Sequence, residues 1–211
     1  MYKRQIEWRT TPSPRFVWRG DDSHVDNVLE ILELDMKNTK PQTSPGSKAT
    51  GASIVKGITR DDDRRRRGLS SQSDAGASGA TTKVKHDDEH ERLKRLVPKA
   101  GGVLTYLAQD VPQVQFAAKM IMAEATKPTA LAEVRLKRAA RYLIGCPITE
   151  WHFPLQDLPD RASVEADSDW AGDENAKSTQ CTVMLFGEHC LEVTTSTQGY
   201  VATSSGVAEL L

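Results

Sequence analysis

The chain has few cysteines, few aromatic side chains, almost no net charge and no long apolar run. Its three cysteines form no Cys-x-x-Cys pair, which argues against a disulfide framework or a cysteine zinc site and indicates reduced thiols. The formal net charge of -1 excludes a globally basic nucleic-acid binder, although local basic patches remain open. Because hydrophobic residues make up 38% of the chain, we expect part of it to lie outside any core.

Membrane and export signals are also absent from the sequence. No apolar run approaches the roughly 20 residues that a membrane-spanning helix needs. The basic residues Lys3 and Arg4 are not followed by an apolar stretch, so a signal peptide is not expected. We therefore expect an intracellular protein, cytoplasmic or nuclear, with no membrane partner and no evident small-molecule substrate.

Composition divides the chain into four segments. A middle stretch rich in Gly, Ser, Thr, Asp and Arg has too few apolar positions to offset its ordering entropy. Its Arg64–Arg67 run indicates either a solvated charge run or a contact with nucleic acid or the nuclear import machinery. The predicted segments are a first part at 1–40, a disordered linker at 41–87, a helical bundle at 88–146 and a strand-rich domain at 147–211.

The first and third segments carry helical signals. In 22–34, apolar residues recur at helical spacing after a hairpin-like pair of strand runs in 4–20. From 88 to 146 the pattern predicts three helices with short connections, which is typical of a small bundle. A kink or break is expected at Pro98 and the following Gly-Gly pair, because proline removes a backbone donor.

After Pro147 the hydrophobic period changes to two. This predicts a strand meander over 149–197, with a tight hairpin turn at 187–189, followed by a short terminal helix. A bundle followed by a strand meander is an α+β fold.

Two stretches contain groups that could do chemistry. "DSDWAGDENAKST" places Asp167 and Asp169 at the end of a predicted strand; the alternatives are a polar turn and a calcium loop, whose fifth position is here Ala171. "HDDEH" places His86 and His90 one helical turn apart, which could form a zinc site with Glu89 as base or could simply be a charged helix start.

Six motifs in order resemble the pol polyprotein of copia-like retrotransposons, where reverse transcriptase passes into ribonuclease H. The resemblance covers about 89–211, and a weaker one covers 5–48 through "DDSHVDNVLEILEL" and "KPQTSPG". The matching stretches are "LTYLAQDVPQVQFAAK", "TKPT", "LKRAARYLIG", "DSDWAGD", "KST" with "STQ", and "SSGVAEL".

This resemblance implies a ribonuclease H-like sheet at 147–211, truncated at the start of its first helix, after a thumb- or connection-like bundle. Segment 1–40 would be a remnant of the polymerase palm or connection. Its first residues, "MYKRQ", match a common sequencing adaptor translated in one frame, so residues 1–5 are expected to derive from such an adaptor. The family cleaves the RNA strand of RNA–DNA hybrids with two Mg²⁺ ions held by carboxylates. By position, Asp167 and Glu209 match two of these metal ligands and are expected to approach each other; the others would lie beyond Leu211.

The resemblance also limits what is expected of this chain. A Tyr-x-Asp-Asp polymerase motif is absent, and Cys181, Thr194 and Val207 depart from the usual family residues Gly, Trp and Glu. The first interpretation is therefore an inactive fragment of a reverse transcriptase and ribonuclease H. The alternative is a non-catalytic nucleic-acid-binding or scaffolding module, which would use the basic residues of the bundle: Lys94, Arg95, Lys119, Lys137, Arg138 and Arg141.

Overall fold

The computed structural model describes residues 4–46, 80–147, 149–172 and 176–210, with side chains from residue 88 onward in the second range. These residues form five α-helices and two antiparallel three-stranded sheets, so the predicted α+β class is confirmed. In chain order the elements are β1 (Gln5–Arg9), β2 (Arg15–Arg19), α1 (Ser23–Ile31), α2 (Ala80–Leu107), a 3₁₀ turn (Pro112–Val114), α3 (Gln115–Ala123), α4 (Ala130–Gly145), β3 (Glu150–Pro154), β4 (Ala162–Asp169), β5 (Thr179–Phe186), β6 (His189–Thr197) and α5 (Ser205–Leu210).

Helices α1 to α4 enclose the main hydrophobic core. Each turns an apolar stripe inward, as the helical spacing predicts, and α4 is also capped by Thr129, whose hydroxyl accepts a hydrogen bond from the Ala132 amide. The fully buried side chains of this core include Val28, Val97, Leu104, Leu107, Ile121, Leu136 and Leu143.

Helix α2 contains no break where one was expected. It runs from Ala80 through Pro98 to Leu107. Packing outweighs the missing proline donor, since Val97 and Ala100 on either side of Pro98 are fully buried. The adjacent Gly101 allows α3 to approach closely, because a Cβ there would lie 2.7 Å from the Met122 sulfur.

The strand at 150–154 belongs to a different sheet from the one that its sequence position suggested. It pairs with β2, so the N-terminal hairpin and β3 form one sheet, and β4, β5 and β6 form the second. The meander predicted over 149–197 is therefore wrong for its first strand and holds for the other three. Period-two patterning predicts a strand but does not select its partner, which the bundle brings within reach.

Residues 40–46, assigned in part to the linker from composition, lie against α4. The Gln42 amide donates to the Arg141 carbonyl at 3.1 Å, and the Arg141 and Arg138 guanidinium groups donate to the carbonyls of Lys40 and Ser44. The composition of this stretch does not predict these contacts, because they are made by backbone groups that every residue carries. The rest of the predicted linker up to residue 79, including the Arg64–Arg67 run, lies outside the described residues.

The second sheet is a regular meander. Strand β5 pairs with β4 on one side and with β6 on the other, and β5 and β6 are joined by the tight turn predicted from sequence. Gly187 in this turn has a φ of 61°, a left-handed conformation that glycine adopts without a Cβ clash. Helix α5 then packs against β4.

Candidate functional site

Asp167 lies near the carboxyl end of β4, two residues before the strand ends. In the register of the sheet it stands directly opposite Cys181 of β5, and its side chain is exposed. Glu209 lies in α5 and is also exposed, whereas the preceding Ala208 is buried against the rest of the domain. The structure thus brings together the two elements that carry the residues matched to metal ligands. The approach of their carboxylates stays a prediction.

A hydrogen-bond network holds α5 against the end of the sheet. The Trp170 indole N–H donates to the Ala202 carbonyl at 3.0 Å, and the Gln198 side-chain amide donates to the Ala208 carbonyl. Ser178, which is fully buried, receives the Ala171 amide on its hydroxyl and the Gln198 amide on its carbonyl. Apart from Ala202, these residues come from the stretches "DSDWAGD", "KST", "STQ" and "SSGVAEL", which therefore converge at one end of the sheet.

The loop after β4 begins with a tight turn at Trp170 and Ala171. Ala171 has a φ of 50°, and a Cβ on Gly172 would lie 2.7 Å from the Asp169 carboxylate. The chain therefore folds back over Asp169 immediately after the strand. This geometry fits the polar-turn interpretation of the acidic stretch.

The donor chemistry of Asp167 and Glu209 suits Mg²⁺, which prefers hard carboxylate oxygens and keeps several waters. In the part of the chain that the structure describes, no group of three or more His, Cys, Asp or Glu side chains is placed to hold a metal ion. Two carboxylates are enough donors for one hydrated ion and too few for a two-ion centre.

The possible zinc site at 86–90 receives no geometric support from the described side chains. Glu89, its candidate base, accepts a hydrogen bond from Arg92 at 2.8 Å. His90 is exposed on the same helix, and the side chain of His86 lies outside the described part. These contacts fit a charged helical segment.

The basic residues of the bundle do not form one open cationic surface, because most contact neighbours within the chain. Lys94 pairs with Glu91 at 2.8 Å, and Lys137 pairs with Glu133 at 3.0 Å. Burial raises the pKa of the Glu133 carboxyl, but the hydrogen bonds and charges of Arg92 and Lys137 together outweigh burial and hold this pKa below its ordinary value. The Lys119 ammonium donates to the Thr179 hydroxyl at 2.6 Å, which joins α3 to the second sheet.

The sequence predicts strands at the aromatic runs of the first sheet but assigns them no functional role. Three short segments, "IEW", "FVW" and "WHF", share a period of two, which places each apolar pair on one face of its strand. This alternation can be read from the sequence. The pairing of β2 with β3, which brings the apolar side chains together, cannot.

Comparison with protein families, curated proteins and solved structures finds no match for the chain. Within its described residues, no helix has both the length and the apolar character needed to cross a membrane.

Proposed function

We propose that this chain is the part of a copia-like retrotransposon pol polyprotein in which reverse transcriptase passes into ribonuclease H. The observation that carries the proposal is a three-stranded antiparallel meander followed by a helix packed on its first strand, with Asp167 on that strand and Glu209 on the helix. The parent protein would copy RNA into DNA and hydrolyse the RNA strand of RNA–DNA hybrids.

In such a protein, Asp167 and Glu209 would hold Mg²⁺, which would activate water and stabilise the leaving oxygen. The contribution of this chain is positional. The bonds of Trp170, Ser178 and Gln198 hold α5 on the sheet and so limit how far Glu209 can move from β4. Because both carboxylates are exposed, a hydrated metal ion can reach them without a change in the fold.

The test is whether the two carboxylates bind one ion together. With Mn²⁺ as a paramagnetic substitute for Mg²⁺, we expect the amide NMR signals of both Asp167 and Glu209 to broaden at low metal occupancy. Asp167→Asn should remove the broadening at Glu209, whereas Glu165→Gln, an exposed acid on the same strand, should leave it unchanged. Broadening of only one residue, or persistence at Glu209 in Asp167→Asn, would contradict the shared site.

A polypeptide of these 211 residues is expected not to cleave an RNA–DNA hybrid. Two carboxylates can hold a hydrated Mg²⁺ weakly, but they cannot clamp two ions about 4 Å apart on the attacking and leaving oxygens. The measurement is a gel assay with an end-labelled hybrid and Mg²⁺, run in parallel on Asp167→Asn. Cleavage by the unsubstituted chain and not by the variant would show that this prediction is wrong.

A further inference from the structure

Strand β4 (Ala162–Asp169) forms one edge of the second sheet. It pairs with β5 on one side, and among the residues that the structure describes no strand pairs with its other side. Residues 162–167 are all exposed, whereas most of β5 is half-buried. Alternate residues of an edge strand point their backbone N–H and C=O groups away from the sheet. Strand β4 therefore offers a row of donors and acceptors to a further strand.

The opposite edge of this sheet, at β6, contacts other parts of the same chain. The side-chain amide of Gln115 in α3 donates to the Val193 carbonyl at 2.7 Å. The His189 ring at the start of β6 shares a hydrogen bond with the Pro154 carbonyl of β3, also at 2.7 Å. The sheet can therefore be extended at β4 more readily than at β6.

Strand β4 lacks two features that commonly keep edge strands from pairing, a proline or lysine and a bulge. Its sequence, "ASVEADSD", contains neither Pro nor Lys, and its register with β5 is regular from Ala162 to Asp169. Its one large apolar side chain, Val164, is 61% exposed. What remains to restrict pairing is the charge of Glu165, Asp167 and Asp169, so these acids decide which strand can lie beside β4.

The charges of β4 match those of a second copy of the same segment. When two identical strands pair in antiparallel fashion about a two-fold axis, one residue lies opposite its own copy and fixes all other pairs. With Val164 at this centre, the acids Glu165 and Asp167 both lie opposite residues that are not acidic. The pairs are Val164–Val164, Arg161–Asp167, Ser163–Glu165 and Ala162–Ala166. The Arg161–Asp167 pair occurs twice, once at each end of the paired segment.

The neighbouring registers are less favourable. Centring on Glu165 or Asp167 places a carboxylate opposite its own copy, and centring on Ala166 places Glu165 opposite Asp167 twice. Like charges directly opposite each other destabilise a strand pair. Centring on Ser163 avoids this repulsion but shortens the paired segment from 161–167 to 161–165. Charge and length together therefore select the register centred on Val164.

The two charged residues of this register are accessible. The side chains of Arg161 and Asp167 are both exposed. Within the described part of the chain, neither of them has an ion-pair partner. Because they are separated by an even number of residues, they lie on the same side of the strand. A second copy can therefore meet both without breaking a contact of the first.

We propose that two copies of this chain join along β4, so that their second sheets form one continuous antiparallel sheet with a two-fold axis at Val164. Main-chain hydrogen bonds provide affinity, and the two Arg161–Asp167 pairs fix the register. So short an edge buries less than the roughly 1,200 Å² of a standard interface, so we expect a weak dimer that forms at about 0.1–1 mM protein. The inference uses only the edge and the charges of β4 and does not rest on the ribonuclease H proposal.

The test is sedimentation equilibrium of the full chain up to about 1 mM protein, at low salt and with EDTA, so that no metal competes for Asp167. We expect a monomer–dimer equilibrium. Arg161→Asp and Asp167→Arg should each weaken the dimer by about 5- to 30-fold, because each replaces two attractive pairs by two repulsive ones. The variant that combines both substitutions exchanges the charges and should recover the affinity of the unsubstituted chain. Such recovery requires that the two positions face each other.

Two controls make the result specific. Arg95→Asp makes the same change of charge at an exposed position of α2 and should alter the dimer affinity by no more than about twofold. Val164→Cys should form an interchain disulfide on mild oxidation, because opposite Cβ atoms lie about 4.5–5.5 Å apart. Ala162→Cys, on the same face but away from its own copy in this register, should stay at the background set by the three native cysteines.

Any of three results would overturn the inference. The first is a chain that stays monomeric up to about 1 mM protein. The second is a dimer whose affinity Arg161→Asp and Asp167→Arg leave unchanged, since the contact would then lie elsewhere. The third is a combined variant that is no better than the single ones, although circular dichroism shows that it is folded.

Discussion

Replacing Leu104 by alanine is expected to lower the free energy of unfolding by about 2–5 kcal/mol. Leu104 is completely buried in α2, at the centre of the core formed with α1, α3 and α4. The substitution removes three carbon atoms and leaves a cavity that these helices cannot fill without moving, so lost transfer free energy and lost contacts add together. The measurement is urea unfolding followed by circular dichroism at 222 nm.

Leu158→Ala is the matched control for Leu104→Ala. The same atoms are removed, but Leu158 is 88% exposed, so its loss should change stability by no more than about 0.5 kcal/mol. Equal effects of the two substitutions would show that the helices do not pack as a core around Leu104.

The second large effect is expected at Asp110, which joins the first sheet to the bundle. Its side chain is 2% exposed and accepts hydrogen bonds from Arg4, at 2.8 Å and 3.4 Å, while its backbone carbonyl accepts the Trp151 indole N–H at 3.0 Å. Gly20 packs so closely that a Cβ there would lie 2.7 Å from the Asp110 Cβ. Asp110 thus contacts Arg4, Gly20 and Trp151, which lie before β1, after β2 and in β3.

Asp110→Ala is expected to cost about 1–3 kcal/mol, because it leaves the Arg4 guanidinium without its buried acceptor. The value lies below that of a fully buried pair, since the Arg4 side chain is 38% exposed and water can partly replace the carboxylate. We expect the loss to appear in urea unfolding together with a red shift of tryptophan emission, as Trp18 and Trp151 become wetter.

Asp110→Asn is the control that separates shape from charge. The amide keeps an acceptor oxygen at nearly the same place and removes the charge, so its cost should be smaller than that of Asp110→Ala. If both variants match the unsubstituted chain within about 0.5 kcal/mol, the junction does not depend on this ion pair.

The sequence by itself determined the local structure of most of the chain. The change of hydrophobic period near Pro147 separated helices from strands, and Gly187 marked the hairpin between β5 and β6. It also placed Asp167 on a strand and Glu209 on a helix. These features follow from the spacing of residues within one segment, which can be read from the sequence without knowing the fold.

Tertiary structure alone decided which elements meet. Nothing near β3 in the sequence specifies that it pairs with β2, more than 100 residues earlier, or that Arg4 finds Asp110. Strands with a period of two can pair with many partners. The bundle selects one pair because it places the segment before α1 beside the segment after α4. The groove that the first sheet, α2, α3 and β6 enclose and the network that ties Gln198 to α5 both arise from such long-range contacts, whose free energy depends on the whole fold.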